Sequence, residues 1–148
     1  MSRQYRSFAH RVDIDVAVER VWRAFTDSRL LVRWAAPDAS VTPREKGRMH
    51  LRFGTGAELD ALIDVLLTPQ RMRLILLPTP GMPSSDAVIV EDFLFERTHH
   101  STVLRLLSSG VPSAPVWVTY YLNKRRYWEL ALTRLKVFLE KGLDQERN

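Results

Sequence analysis

A chain of 148 residues, 45% hydrophobic and 26% charged, is sized and composed for a single soluble domain, 1–148, with one core. It contains no cysteine, which excludes disulfides, thiol catalysis and thiolate metal sites and fits a cytoplasmic protein. The net charge of +5 and the isoelectric point near 10.0 raise the question of an acidic partner. The basic residues are scattered, however, which makes a nucleic-acid partner an unfavoured reading.

Residues 1–6 are polar and basic without an apolar stretch, so no secretion signal is expected. The longest apolar run, 74–78, is strand-sized, so no membrane partner is expected either. Residues 7–16 alternate, with Phe8, His10, Val12, Ile14 and Val16 on one face and Arg11, Asp13 and Asp15 on the other, as a half-buried strand does. The spacing of Val18, Val21, Trp22 and Phe25 predicts a helix over 18–26. Asp27 and Ser28 can cap a second short helix over 29–34, which Pro37 prevents from continuing.

The sequence then turns β-rich. Residues 40–44 and 48–53 flank a Lys46-Gly47 turn and read as a hairpin, and Gly54-Thr55-Gly56 turns into a strand over 58–67. There Leu59, Ala61, Ile63 and Val65 oppose Asp60 and Asp64. Pro69-Gln70 turns again into 71–77, with Met72, Leu74 and Leu76 on one face. Residues 78–86, with three prolines and Gly81, form the one loop long enough to cover something. A last hairpin, 87–97 and 102–109, turns at Thr98-His99-His100-Ser101.

The run 116–142 predicts one long helix. Trp117, Tyr121, Lys124, Trp128, Leu132, Leu135 and Leu139 recur at steps of three and four and so share a stripe. Arg125, Glu129, Thr133, Lys136 and Glu140 take the solvated side, Pro112 and Pro115 suit the approach, and Gly142 supplies a stop. The stripe is aromatic with an ammonium in its first half and aliphatic in its second. Such a helix can line a cavity at one end and seal a core at the other, or simply be core with Lys124 reaching outwards. Short connections imply an antiparallel sheet of about seven strands, and this helix is the only long element available to cover its apolar face. The expected class is α+β.

Two stretches carry a resemblance. Residues 16–27, Val-Ala-Val-Glu-Arg-Val-Trp-Arg-Ala-Phe-Thr-Asp, followed by Leu30-Leu31-Val32-Arg33-Trp34, resemble the opening of the START-like (SRPBCC) superfamily, in its activator-of-Hsp90-ATPase homologue branch. The end is similar too, from Thr102 through Ser109-Gly110 and on to Tyr127-Trp128-Glu129-Leu130-Ala131-Leu132 with Leu135 and Leu139. Gly47, the 64–72 segment with Pro69 and the 97–102 turn fall in the family's order. The resemblance implies a helix-grip fold, a curved sheet wrapped around the C-terminal helix with a cavity between them. Ala35-Ala36, Val18 and Tyr127 depart from the family pattern, and Tyr127 in place of a glycine adds bulk near the helix midpoint.

Catalytic signatures are missing. Gly54-Thr55-Gly56 has no third glycine and leads into a strand, so it does not cradle a phosphate, and there is no P-loop, nucleophile elbow or His-Glu-x-x-His. His99 and His100 are neighbours at a hairpin tip, where side chains point apart, so no metal site is expected. Asp60 and Asp64 share the wet face of their strand and do not form an acid/base pair. The informative residues are polar ones on inward positions. Counting by twos places Glu91 with Phe93 and Phe95, His10 with Val12 and Ile14, and Ser108 with Leu104 and Leu106. A buried charge needs a partner, water or a ligand, so either a Glu91–Lys124 ion pair or a ligand-orienting pocket results.

The leading functional reading is a container for a small apolar or aromatic molecule, with no cofactor. Its cavity-lining candidates are His10, Trp34, Met49, Leu51, Phe53, Ile63, Leu74, Glu91, Phe93, Leu106, Ser108, Trp117, Tyr121, Lys124 and Trp128. For Trp34 a helix-packing role is the equal alternative, and the loop around Gly81 and Met82 could act as a lid. A second reading, implied by the resemblance, is a polyketide cyclase or dehydratase using Glu91, His10 or a tyrosine for proton transfer. A third is an interaction module for an Hsp90-type chaperone, which only the family name suggests. Self-association as a homodimer is left open.

Overall fold

The computed structural model describes residues 4–146, with side chains described for residues 4–142. Residues 1–3 of the polar N-terminal stretch lie outside it. The elements run β1 (Tyr5–Ile14), α1 (Val18–Thr26), α2 (Ser28–Trp34), β2 (Asp38–Val41), β3 (Arg48–Arg52), β4 (Glu58–Leu67), β5 (Arg71–Leu76), β6 (Val90–Thr98) and β7 (Ser101–Pro112). A short 3-10 turn (Pro115–Trp117) and α3 (Val118–Glu146) complete the chain. The fold is α+β, a helix-grip arrangement.

One antiparallel sheet holds all seven strands in the order β1-β7-β6-β5-β4-β3-β2, so consecutive strands pair except that β1 closes against β7. Its inner face follows the period of two: Leu74, Glu91, Phe93, Leu104, Leu106 and Ser108 are all buried. The register shifts in two places, between Arg6 and Phe8 in β1 and between Ile63 and Val65 in β4. A bulge at Asp64 shifts the register, so Leu66 opposes the buried Met72, whereas the sequence places Val65 inward. Val65 instead opposes Arg73.

The first hairpin starts and ends earlier than its composition implies. The chain leaves β2 at Val41 because Pro43 has no N–H for a ladder, and Arg44 N–H turns back to Thr42 O (2.8 Å). Gly47 is required there, since a Cβ on it would stand 2.1 Å from Thr42 O. In the last hairpin β6 starts only at Val90, later than the expected 87, while β7 continues through Gly110, whose φ is +93° and whose α-carbon packs on the Val88 backbone.

α1 buries Val18, Val21, Trp22, Ala24 and Phe25 against the sheet. The Phe25 ring meets Trp34 at 4.8 Å and Phe93 and Phe95 at 5.0 Å, joining both short helices to β6. Asp27 caps α2 by accepting from Arg29 N–H at 2.9 Å. α3 lies over the sheet with Trp128, Ala131, Leu132, Leu135, Phe138 and Leu139 buried. Along β1 it is stitched by polar contacts: Tyr121 Oη donates to Ser7 O, Lys136 Nζ to Asp13 O, and Glu140 accepts from Asp15 N–H. Gly142 does not stop it. The backbone there stays helical, and the missing Cβ instead leaves room for the Phe138 ring, 3.3 Å from where a Cβ would stand. No described helix is long and apolar enough to cross a membrane.

Candidate functional site

α3 meets the sheet tightly along β1 and less tightly at the opposite side. A cleft of about 940 Å3 opens there, within the range of small-molecule sites. Four segments wall it: the end of α2 with residues 35–37, the β3–β4 turn with Phe53, the β5–β6 loop through Met82, and the first half of α3. The helical wall is Val116 of the 3-10 turn with Thr119, Tyr120, Asn123, Lys124, Tyr127, Trp128 and Arg134 of α3. Met82 reaches inward to a small cluster of Ile89, Val111 and Trp117, which anchors the loop over the helix N-terminus.

Tyr127 shapes the cleft without filling it. Its ring packs between Phe53 (4.6 Å) and Trp128 (4.9 Å), and its hydroxyl donates to Ala35 O, pinning α3 to the end of α2. Burial pushes the phenol well above its ordinary pKa, so it remains a donor. Tyr120 is raised likewise by burial, partly opposed by Lys124. Arg134 donates to Trp34 O at 3.0 Å and lies over the Tyr127 ring, bringing a cation to this end of the cleft.

At the inner end stands a buried polar cluster. Lys124 Nζ contacts Glu91 Oε1 at 3.0 Å, and Trp128 Nε1 donates to the same oxygen at 2.6 Å. Glu91 is 0% exposed and Lys124 8%. Lys124 also lies 5.1 Å from the centre of the Tyr120 ring, a cation–π contact that helps keep an ammonium against an aromatic wall. Strand parity turns Glu91 inward from the centre of β6, and the helix period brings Lys124 and Trp128 down onto it one turn apart.

Of the residues singled out in the sequence, Trp34, Phe53, Lys124 and Trp128 line the cleft, and Glu91 sits directly behind the last two. Trp34 serves both roles: its Nε1 donates to Ala24 O at 3.0 Å in the core while the residue borders the cleft. Met49, Leu51, Ile63, Leu74, Phe93 and Leu106 are buried in the main core and do not reach the cleft. Ser108 is buried opposite Glu91. Trp117 packs on Tyr120 in the small cluster, away from the lining. His10 and Tyr121 face the β1 side, with His10 Nε2 3.0 Å from Arg125 O and Tyr121 bonded to Ser7 O.

The stripe Val116, Tyr120, Asn123 and Tyr127 escaped sequence reasoning as a lining set. Its signal was present as steps of four, three and four residues, rotated one position from the Trp117–Tyr121 stripe. Glu58 and Asp60 at the start of β4 also border the cleft, Asp60 paired with Arg48, whereas Asp64 pairs with Arg73 away from it. Among the described residues no three His, Cys, Asp or Glu side chains come together as a metal-ligand set.

The family model described as activator of Hsp90 ATPase homolog 1-like protein matches residues 15–140. The chain belongs to this family. This family member is similar in structure to MLL2253 from Mesorhizobium loti, with 21% identity over 92% of this chain and 98% of that one and a TM-score of 0.79. It also resembles the Aha1 dimer from Colwellia psychrerythraea, solved in solution, with 23% identity, 93% and 98% coverage and a TM-score of 0.77. DynU16, a protein of the dynemicin biosynthetic locus, matches at 19% identity over 92% of this chain and 48% of that longer one, with a TM-score of 0.74. At such identities these likenesses show the shared fold. A comparison with curated proteins gave no match.

Proposed function

We propose that this family member is a small-molecule-binding protein that holds an apolar or aromatic ligand in the cleft between α3 and the far side of the sheet. The observation that carries this reading is the cleft itself: about 940 Å3, walled by Phe53, Tyr120, Tyr127 and Trp128, with one buried ammonium at its inner end. Aromatic walls supply apolar contact area, and a few polar groups, Lys124 at the inner end among them, fix orientation, which is how ligand sites are commonly built. Native mass spectrometry of freshly purified protein tests it. A retained small molecule is expected in the wild type and is lost in Asn123→Trp, which fills the cleft from an exposed lining position. The same spectrum reads the oligomeric state, of interest because the Colwellia relative is a dimer. Wild-type protein that binds no added aromatic compound at millimolar concentration would count against the reading.

A second reading, an enzyme of the cyclase or dehydratase type, draws support from the carboxylate behind Lys124 and from DynU16, which belongs to a biosynthetic locus. It requires Glu91→Gln to abolish turnover of a poly-carbonyl substrate while leaving its binding intact.

A further inference from the structure

Two buried polar atoms behind the inner end of the cleft have no hydrogen-bond partner among the described residues: Glu91 Oε2 and Ser108 Oγ. They belong to residues directly opposed on β6 and β7, both facing inward. Opposed residues on one sheet face hold their Cβ atoms about 4.5–5.5 Å apart, so the two orphans border the same small space. A lone unpaired hydroxyl is tolerable, but an unpaired carboxylate oxygen at 0% exposure is costly enough to imply a missing group.

The chemistry of the two atoms narrows that group. A carboxylate oxygen only accepts, so the group must donate. A serine hydroxyl can do either, so it sets no further condition. An anion is repelled by Glu91, and an ammonium would stand beside Lys124 at like charge. Among neutral donors, a hydroxyl is the smallest group that serves both atoms through one oxygen, donating to Glu91 Oε2 and accepting from Ser108 Oγ.

We propose that Glu91 and Ser108 form a binding site for one hydroxyl group, supplied by water in the ligand-free protein and by a phenol-type ligand in the loaded one. The ligand half rests on the cleft reading above; the water half does not. Lys124 and Trp128 stand between this site and the cleft, and Lys124, on its flexible four-carbon stem, is the movable part of that wall. A phenol entering hydroxyl first leaves its ring against Trp128 and Tyr120.

The test combines calorimetric titration of wild type, Ser108→Ala and Glu91→Gln, using naphthol and its methyl ether, with a crystal structure of the ligand-free protein. Naphthol is expected to bind wild type at least about tenfold more tightly, since only it can donate to the carboxylate. Ser108→Ala narrows the preference. Glu91→Gln abolishes or reverses it, because Lys124 and Trp128 hold the amide oxygen where Oε1 now stands, leaving an N–H donor in place of the acceptor. Equal affinity for the two probes in wild type overturns the proposal and leaves the cleft reading standing. If neither probe binds, the cleft reading fails on its own account and the crystal structure decides. Ordered solvent bridging Glu91 Oε2 and Ser108 Oγ then supports the hydroxyl site, and its absence overturns it.

Discussion

Glu91 carries two tasks that pull against each other. As the partner of Lys124 and Trp128 it holds α3 to the middle of the sheet, yet desolvating both charges offsets much of their attraction. Removing one partner is therefore worse than removing both. Glu91→Ala is expected to cost about 3–5 kcal/mol in urea unfolding, since Lys124 is left buried and unpaired. The double variant Glu91→Leu, Lys124→Met should recover most of that loss. A double variant no more stable than the single one would show the pair to be a net stabiliser. At this scale the sequence is readable: strand parity turned Glu91 and Ser108 inward and helix period did the same for Lys124. What parity could not supply is distance, so the ion pair and the orphaned oxygen beside it emerge only in three dimensions.

The elements depend on their ends. α2 is a seven-residue helix started by Asp27, whose side chain accepts from both the Arg29 guanidinium and the Arg29 N–H. Those contacts, the guanidinium first, hold the Asp27 carboxyl below its ordinary pKa. A depressed folded value means that the unfolded chain takes up the proton more readily. The cap's contribution is thus full above the ordinary carboxylate range and is lost as pH falls through the depressed value. Asp27→Asn keeps an acceptor that does not titrate, so its stability should fall less steeply in acid than that of wild type, as thermal unfolding followed between neutral pH and pH about 3 would reveal. Where element boundaries departed from the pattern, a local cause is visible. Pro43 ended β2 early, the bulge at Asp64 exchanged Val65 for Leu66, and Gly142 lay inside α3 because Phe138 needed its space.

At the scale of the whole molecule, the cleft belongs to no single element. Its walls come from the end of α2, the β3–β4 turn, the β5–β6 loop and α3, segments remote from one another in the chain. The unfolded chain has no such surface, so a ligand binds only the folded form and must stabilise it. An aromatic compound held at a hundred times its Kd should raise the melting temperature by about 5–10 °C for a domain of this size. Asn123→Trp should melt near the wild type without ligand and show none of this rise, since Asn123 is exposed and only the cleft is changed.

Order and type of elements, the inward faces of the strands up to the bulge in β4 and the amphipathic run of α3 were determined by the sequence alone, because periods of two and about 3.6 are local properties of the backbone. The family was legible as a resemblance carried by the residues of 16–34 and 102–132, and the family model matching residues 15–140 shows it. Tertiary structure decided which side of α3 faces open space. The helix is bound along β1 through Tyr121, Lys136 and Glu140, so the gap opens on the rotated stripe of Tyr120, Asn123 and Tyr127. A helix stripe states what avoids water; only the placement of the opposing wall determines whether that stripe meets core or cleft.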